Sequence, residues 1–416
     1  MARFYYSARD SAGQKLSGYE EAHSQDELIT RLQAKGLIVI SVVNESEGGK
    51  VKVAGLTAKN KGRHKFRHYG INSDDLVVFS RQLATLLGAG VTILKSLDII
   101  SQQVGSHKFY NVIIKLERDM EAGLTFHEAL GQHPAIFSEL WVNLVESGEA
   151  SGNLAGILNR LAGYLERRAS FKKKIVSSLI YPVILMSAGL GALLFLTIKI
   201  IPTFAELFKG FGAELPRFTM MLVAVSSFIR KYILFMLLTA VTISFLFRAY
   251  IKTREGRKRF EEFQLHLPVF GEFFRALTVE RFSSEMSTLI ESGVPLLYSL
   301  EITEHSVGNT VMSGIVHQIK EDVREGKPLN YTLGKSGFFE PMVVQMIAVG
   351  EEIGELPQMF KRVNTFYQEY TETFLARFTT IFEPMMLVFM GLVIGIMVLG
   401  MFMPIFQIAT LGTSSR

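Results

Sequence analysis

The chain has 416 residues, and its hydrophobic share of 48% with a mean hydropathy of +0.26 exceeds what a soluble globular protein carries, which places it in the membrane class. The absence of cysteine excludes disulfides, thiolate metal sites and a Cys nucleophile together, and leaves the redox compartment open. The formal charge of +5 is modest, and much of the Lys and Arg lies beside apolar stretches, where membrane orientation accounts for it before nucleic-acid binding does.

MARFYYSARD has no apolar signal region, so the N-terminus is expected to stay on the side of synthesis. Residues 3–8 and 15–22 read as two short strands around a turn at Asp10 to Gly13. Ser24 and Glu27 form a capping box for a helix carrying Leu28, Ile29 and Leu32, Gly36 ends it, and LIVISVV is a buried strand. Residues 1–43 thus form a ββαβ module. From 44 to 70 periodicity vanishes among glycines and scattered Lys and Arg, which reads as a basic linker. Aromatic residues for base stacking are sparse there, and no nucleic-acid partner is expected.

Asp74 and Asp75 follow Ser73 at the start of a helix, and apolar residues recur at helical spacing up to Gly88 and Gly90. Glycines then punctuate several short helices, and Thr125 with Glu128 makes a second capping box, so 71–174 reads as a helical bundle. Nothing breaks the helix from Asn153 to Pro182. The first membrane span is 175–202, long enough for a ~30 Å hydrocarbon core, and Pro202 closes it. Residues 203–231 are too polar for lipid and read as an external loop with an amphipathic helix. Residues 232–250 form a second span, 251–376 a second bundle, 377–408 a third span and 409–416 a tail.

Arg167, Arg168, Lys172, Lys173 and Lys174 precede the first span, and Arg254, Arg257, Lys258 and Arg259 follow the second. By the positive-inside rule both clusters face the cytoplasm, which puts the N-terminus and both bundles there and leaves 203–231 and the C-terminal tail outside.

Shifting the chain by about 203 residues lays FSRQLATLLGAGVTILKSLDI on FSSEMSTLIESGVPLLYSLEI, and about a quarter of positions match over ~125 residues. Gly90 meets Gly293, Gly123 meets Gly326, Gly131 meets Gly334, and after a one-residue gap Gly148, Glu149 and Gly152 meet Gly350, Glu351 and Gly354. Pro182 and Pro202 likewise meet Pro384 and Pro404. The fold class is therefore mainly α and integral to the membrane: two homologous cytoplasmic bundles, three spans and a small α+β module. Because the copies run parallel, both bundles emerge on one face, unlike the halves of an inverted-repeat transporter.

The opening FYYSARDSAGQKLSGYEEAHSQDELITRLQAKGLIVISV, the pairs AGVTILKSL and SGVPLLYSL, GEASGNL and GEEIGEL, the loop IPTFAELFKGFGAELPRFT and the ending EPMMLVFMGLVIGIMVLGMFMPIF resemble one family, covering nearly the whole chain in order. It is the type II secretion F/type IV pilus PilC family of inner-membrane platform proteins. The resemblance implies a platform at the base of a pilus or secretion machine that couples a cytoplasmic hexameric ATPase to extraction of pilin or pseudopilin subunits and fibre assembly. Its implied partners are that ATPase, the pilins and other inner-membrane assembly proteins. The alternative is a small membrane transporter or receptor subunit.

Catalytic chemistry is not expected. GVTILKS from Gly90 lacks the second glycine of a phosphate loop, the nine histidines form no metal-ligand spacing, and no cofactor is implied. Glu149 and Glu351 in their turns read either as solvated caps or as a partner contact or cation site. Gly391 with Gly395, and Ser187 with Gly191, are small-residue pairs that suit either packing within the chain or contacts in a homo-oligomer or with pilin. Glu383, beside Pro384, is costly in the membrane unless paired or near the interface.

Overall fold

The computed structural model describes residues 2–9, 15–44, 66–210 and 215–413, in two compact units divided after His64. The turn expected at 10–13 and most of the basic linker lie outside the described residues.

In the first unit β1 (Ala2–Arg9) pairs antiparallel with β2 (Lys15–Ala22) on one edge and with β3 (Ile38–Asn44) on the other. Between β2 and β3 runs α1 (Gln25–Ala34), whose first turn is capped by Ser24, its hydroxyl accepting the Glu27 N–H at 3.2 Å. The Glu27 carboxylate returns one residue further back than a capping box requires, to the His23 N–H at 2.9 Å. Leu28 and Leu32, one turn apart, are fully buried with Phe4 and Ala22. This is the expected ββαβ module.

The second unit begins before α2, because the backbone of Arg67 donates to Gly105 at 2.7 Å and Tyr69 accepts from Lys108 at 3.1 Å. Residues 66–70 are thus part of the first bundle rather than of a linker. That bundle is α2 (Ser73–Gly88), α3 (Ile93–Ser101), α4 (His107–Glu121), α5 (Phe126–Gly131), α6 (Glu139–Ala150) and the start of α7 (Leu154–Phe195). After a π-turn (Leu196–Ile200) come α8 (Ile201–Gly210), α9 (Arg217–Lys252) and α10 (Arg254–His266). The second bundle is α11 (Phe270–Glu291), α12 (Leu296–Ser306), α13 (Thr310–Arg324), α14 (Leu329–Lys335), α15 (Pro341–Glu352) and the start of α16 (Leu356–Thr413).

The helices α2 to α7 and α11 to α16 match one for one. Gly90 and Gly293 occupy the same helix-to-helix turn with φ of 83° and 85°, a left-handed geometry that a side chain would strain. Each core is built on an aromatic cluster, Phe79, Phe109, Phe137 and Trp141 in the first bundle and Phe282, Phe339 and Phe360 in the second. Phe79 and Phe282 are counterparts, each 1% exposed.

Among the described residues, three helices are long and apolar enough to cross a membrane: α7 with its continuation, α9 and α16. The last helix of each bundle is itself the membrane helix. At 58 residues α16 extends about 87 Å, at 1.5 Å per residue, without a break between bundle and span. Residues 203–231 take in all but the first two residues of α8 and the start of α9, which continues unbroken through 232–250.

Candidate functional site

Glu149 and Glu351 perform the same local task in the two repeats. Each stands in the last turn of its helix, α6 or α15, and accepts the first backbone N–H groups of the short helix α5 or α14. Glu149 accepts from Phe126 N at 2.8 Å and His127 N at 3.2 Å, and its carboxylate lies 2.6 Å from His127 Nδ1. Glu351 accepts from Leu329 N at 2.8 Å and Asn330 N at 3.2 Å. These N–H groups have no intrahelical acceptor, and a carboxylate on them also complements the positive end of the helix. Both glutamates are half-buried. Gly148 and Gly350 are buried where α6 and α15 meet the next helix, and a Cβ on Gly350 would stand 2.5 Å from Met359 Cγ. The exposed surface at these turns runs through Ala150, Ser151 and Gly152 in the first repeat and through Glu352 to Gly354 in the second.

The basic clusters divide. Lys173 pairs with Asp74 at 2.9 Å and Lys174 with Glu372 at 2.8 Å, tying the first span's entry to α2 and to α16. Arg168 donates to the Tyr164 hydroxyl at 3.0 Å, Arg257 holds Glu261 at 2.9 Å and the Gly308 carbonyl at 2.6 Å, and Lys258 lies 4.0 Å from Glu262. Arg167, Lys172, Arg254 and Arg259 are exposed.

In the spans, the Glu383 carboxylate interacts with the hydroxyl of Tyr181, the residue that precedes Pro182 as Glu383 precedes Pro384. That pairing offsets the cost of a carboxylate at this depth. Ser187, Gly191 and Gly391 are exposed, Gly395 is half-exposed, and a Cβ on any of the three glycines would meet nothing within 4 Å. Close approach occurs instead at two glycines that the spacing did not single out. A Cβ on Gly189 would stand 3.1 Å from Met390 Sδ, and Gly400 is pressed by Leu222 and Phe218 of α9.

Pro202 and Pro404 leave carbonyls of the preceding turn without an N–H donor. At Pro202 the ladder widens into the π-turn and Ser226 of α9 donates to the freed Thr197 carbonyl. At Pro404 the Gly400 carbonyl, four residues earlier, accepts from Thr219 of α9. The helix between the repeats therefore serves the equivalent proline of both.

A buried polar set was not read from the sequence. Glu285, fully buried on α11, lies 3.2 Å from Arg281 Nε and accepts from Ser306 Oγ at 2.6 Å and from the Tyr164 hydroxyl of the first repeat at 3.2 Å. One turn away Glu280 accepts from Asn364 Nδ2 at 2.9 Å and Gln368 Nε2 at 2.8 Å, and burial pushes its carboxyl above the usual range. The counterparts of Glu280, Arg281 and Glu285 in α2 are Val77, Val78 and Gln82, so comparing the copies would have exposed the charges peculiar to the second. Among the described residues no three His, Asp or Glu gather as a metal-binding group.

The model of the type II secretion system protein F family matches residues 79–202 and again 282–404, and that of the family's N-terminal domain matches 1–43. The chain is 39% identical to the type IV pilus assembly protein PilC of Thermus thermophilus over 416 residues, the full length of both. It is 33% identical to PilC of Myxococcus xanthus, covering 98% of this chain and 95% of that one, and 31% identical to type II secretion system protein F of Pseudomonas aeruginosa, covering 98% and 99%. With its domain present twice, an N-terminal domain ahead of it and three membrane helices, the chain belongs to the type II secretion system protein F family, alongside relatives named for type IV pilus assembly.

Proposed function

We propose that this multi-pass membrane protein is the inner-membrane platform of a type IV pilus or type II secretion machine, a homo-oligomer that couples a cytoplasmic hexameric ATPase to extraction of pilin or pseudopilin subunits and fibre assembly. The observation that carries the proposal is the continuity of α7 and α16 from bundle core into span, which lets force on either bundle reach the bilayer through a helix with no intervening hinge loop. The work arrives by contact, without catalysis by this chain. The N-terminus and both bundles face the cytoplasm, where Ser151, Gly152, Glu352 and Gly354 offer exposed turns to the ATPase, with Glu149 and Glu351 holding those turns in shape. Other inner-membrane assembly proteins share this surface.

The test is deletion of the gene in a fibre-forming host with complementation. The full chain restores fibres or secretion and co-purifies with the ATPase. Fibre output that persists without the chain, or nucleotide hydrolysis by the purified protein alone, overturns the proposal.

A further inference from the structure

The two repeats are joined head to tail, and we propose that the same contact recurs between copies of the chain. Within one chain, α6 of the first bundle is covered by the second bundle. The Tyr298 hydroxyl donates to Asn143 Oδ1 at 2.6 Å, and Leu289, Val294 and Ile302 belong to the same hydrophobic cluster as Leu140 and Leu144. Both complementary faces have a counterpart in the other repeat, and both counterparts are open. Leu140 is 1% exposed, whereas its counterpart Met342 on α15 is 41% exposed. Where α6 carries the half-buried Ser147, α15 carries Val349, 51% exposed, an apolar side chain open to a partner. On the other side, Leu289, Val294 and Ile302 are buried, while their counterparts Leu86, Val91 and Ile99 on α2 and α3 are half-buried, with Leu94 exposed beside them.

The membrane helices repeat the pattern independently. Gly189 of α7 is filled by Met386 and Met390 of α16, yet its counterpart Gly391 faces open space, and Ile184 and Ala188, the counterparts of the two methionines, are exposed. Likewise the Thr379 hydroxyl stands 3.5 Å from the Ser178 carbonyl that Pro182 leaves without its donor, and its own counterpart, Ser177, is exposed. In the bundles and in the membrane, one side of each repeat is used and the equivalent side of the other is free.

A second copy placed with its α2–α3 surface and its Ile184 face against α15 and Gly391 of the first reproduces the contact already made within each chain. Such a contact is heterologous, so it propagates, and with every span held in one bilayer it closes into a ring about the membrane normal. The inference rests on the reading of the chain as a self-assembling platform and supplies the surfaces.

The chain has no cysteine, so introduced pairs report cleanly. Lys95 and Gln345 are the counterparts of Tyr298 and Asn143. In oxidised membranes, differently tagged copies carrying Lys95→Cys and Gln345→Cys are expected to form a disulfide between chains, a chain carrying both should give a ladder of oligomers, and neither single variant should pair with itself. Asn143→Cys with Tyr298→Cys closes within one chain and is the positive control. Met342→Glu, at the counterpart of the buried Leu140, should lower the crosslinked fraction about tenfold, since burying an unpaired charge opposes association, while the control disulfide still forms. A formed control with monomers alone in the test pair overturns the proposal, as does self-pairing of Lys95→Cys, which marks a two-fold contact instead. Fibre assembly scored in parallel separates the two readings: fibres without the trans disulfide remove this interface and leave the platform, and the disulfide without fibres does the reverse.

Discussion

The Thr219 hydroxyl of α9 donates to the Gly400 carbonyl of α16 at 2.6 Å, supplying the bond that Pro404 cannot make. Thr219 is 5% exposed and Gly400 is buried against α9, so the carbonyl has few alternatives. Thr219→Val, which keeps the shape and removes the donor, is expected to destabilise the protein by about 1 kcal/mol, and Ser226→Ala by a similar amount at Thr197. Gly400→Leu should cost more, because Leu222 and Phe218 already occupy the space of its Cβ. Thermal unfolding in detergent checks the order, and a Thr219→Val protein as stable as its parent would remove the proline-relief argument.

The two equivalent glutamates predict separable effects. Glu351→Ala removes the cap of α14 and is expected to cost about 1 kcal/mol, as loss of a helix cap does, and Glu149→Ala should cost at least as much because it also strands His127. Glu351→Gln keeps an acceptor and should recover part of the loss. Glu352→Lys, on the exposed flank of the same turn, should leave stability within about 0.5 kcal/mol of the parent and change only partner binding. Calorimetry alongside co-purification with the ATPase separates these, and loss of binding in Glu351→Ala alone, with Glu352→Lys silent, points to folding rather than contact.

Burial raises the Glu280 carboxyl, so the folded chain holds a proton there that the unfolded chain releases above its ordinary value of about 4.3. Over that window the folded state binds more protons, and stability falls as pH rises. Glu280→Gln retains an oxygen for Asn364 and Gln368 and removes the ionisation, so it should be at least as stable as the parent at pH 7.5, with the difference shrinking as pH falls toward 5. Glu280→Ala should be destabilised throughout, having left two buried amides without their acceptor. A Glu280→Gln variant that is less stable at pH 7.5 and regains ground on acidification would contradict the sign.

The repeat was legible because its markers are local: Gly90 and Gly293 are demanded by the turn geometry itself, and Thr125 with Glu128 closes its capping box within four residues, at 2.8 and 3.4 Å. Glu149 was legible as a cap or a contact, but its acceptor role depends on His127, 22 residues away in sequence. The Tyr164–Glu285 bond spans 121 residues and joins different repeats, so no spacing rule reaches it. Glycine spacing marked Gly391 and Gly395, whereas the close approach inside the chain is at Gly189 and Gly400, because which face of a membrane helix is filled depends on its neighbour and not on its own pattern.

The proposed topology rests on charge and on the path of the helices together. Arg167 to Lys174 precede the first crossing and Arg254 to Arg259 follow the second, and two crossings by α7 and α9 return the chain to the side it left. In the proposed orientation the positive residues next to the spans are retained in the cytoplasm, and the segment joining α8 to α9 lies outside. Alkaline phosphatase, active only after export, is therefore expected to be active when fused after Gly210 and inactive when fused after Gly326, between α13 and α14. A fusion after Thr253 should also be inactive, since α10 belongs with the second bundle, which Arg257 secures through the Gly308 carbonyl at 2.6 Å. Substituting the exposed Arg254 and Arg259 by Glu weakens the retention signal without touching that bond, and should raise activity of the Gly326 fusion by a measurable fraction. Activity after Gly326 with none after Gly210 in the parent chain would invert the orientation and take the ATPase-facing role of both bundles with it.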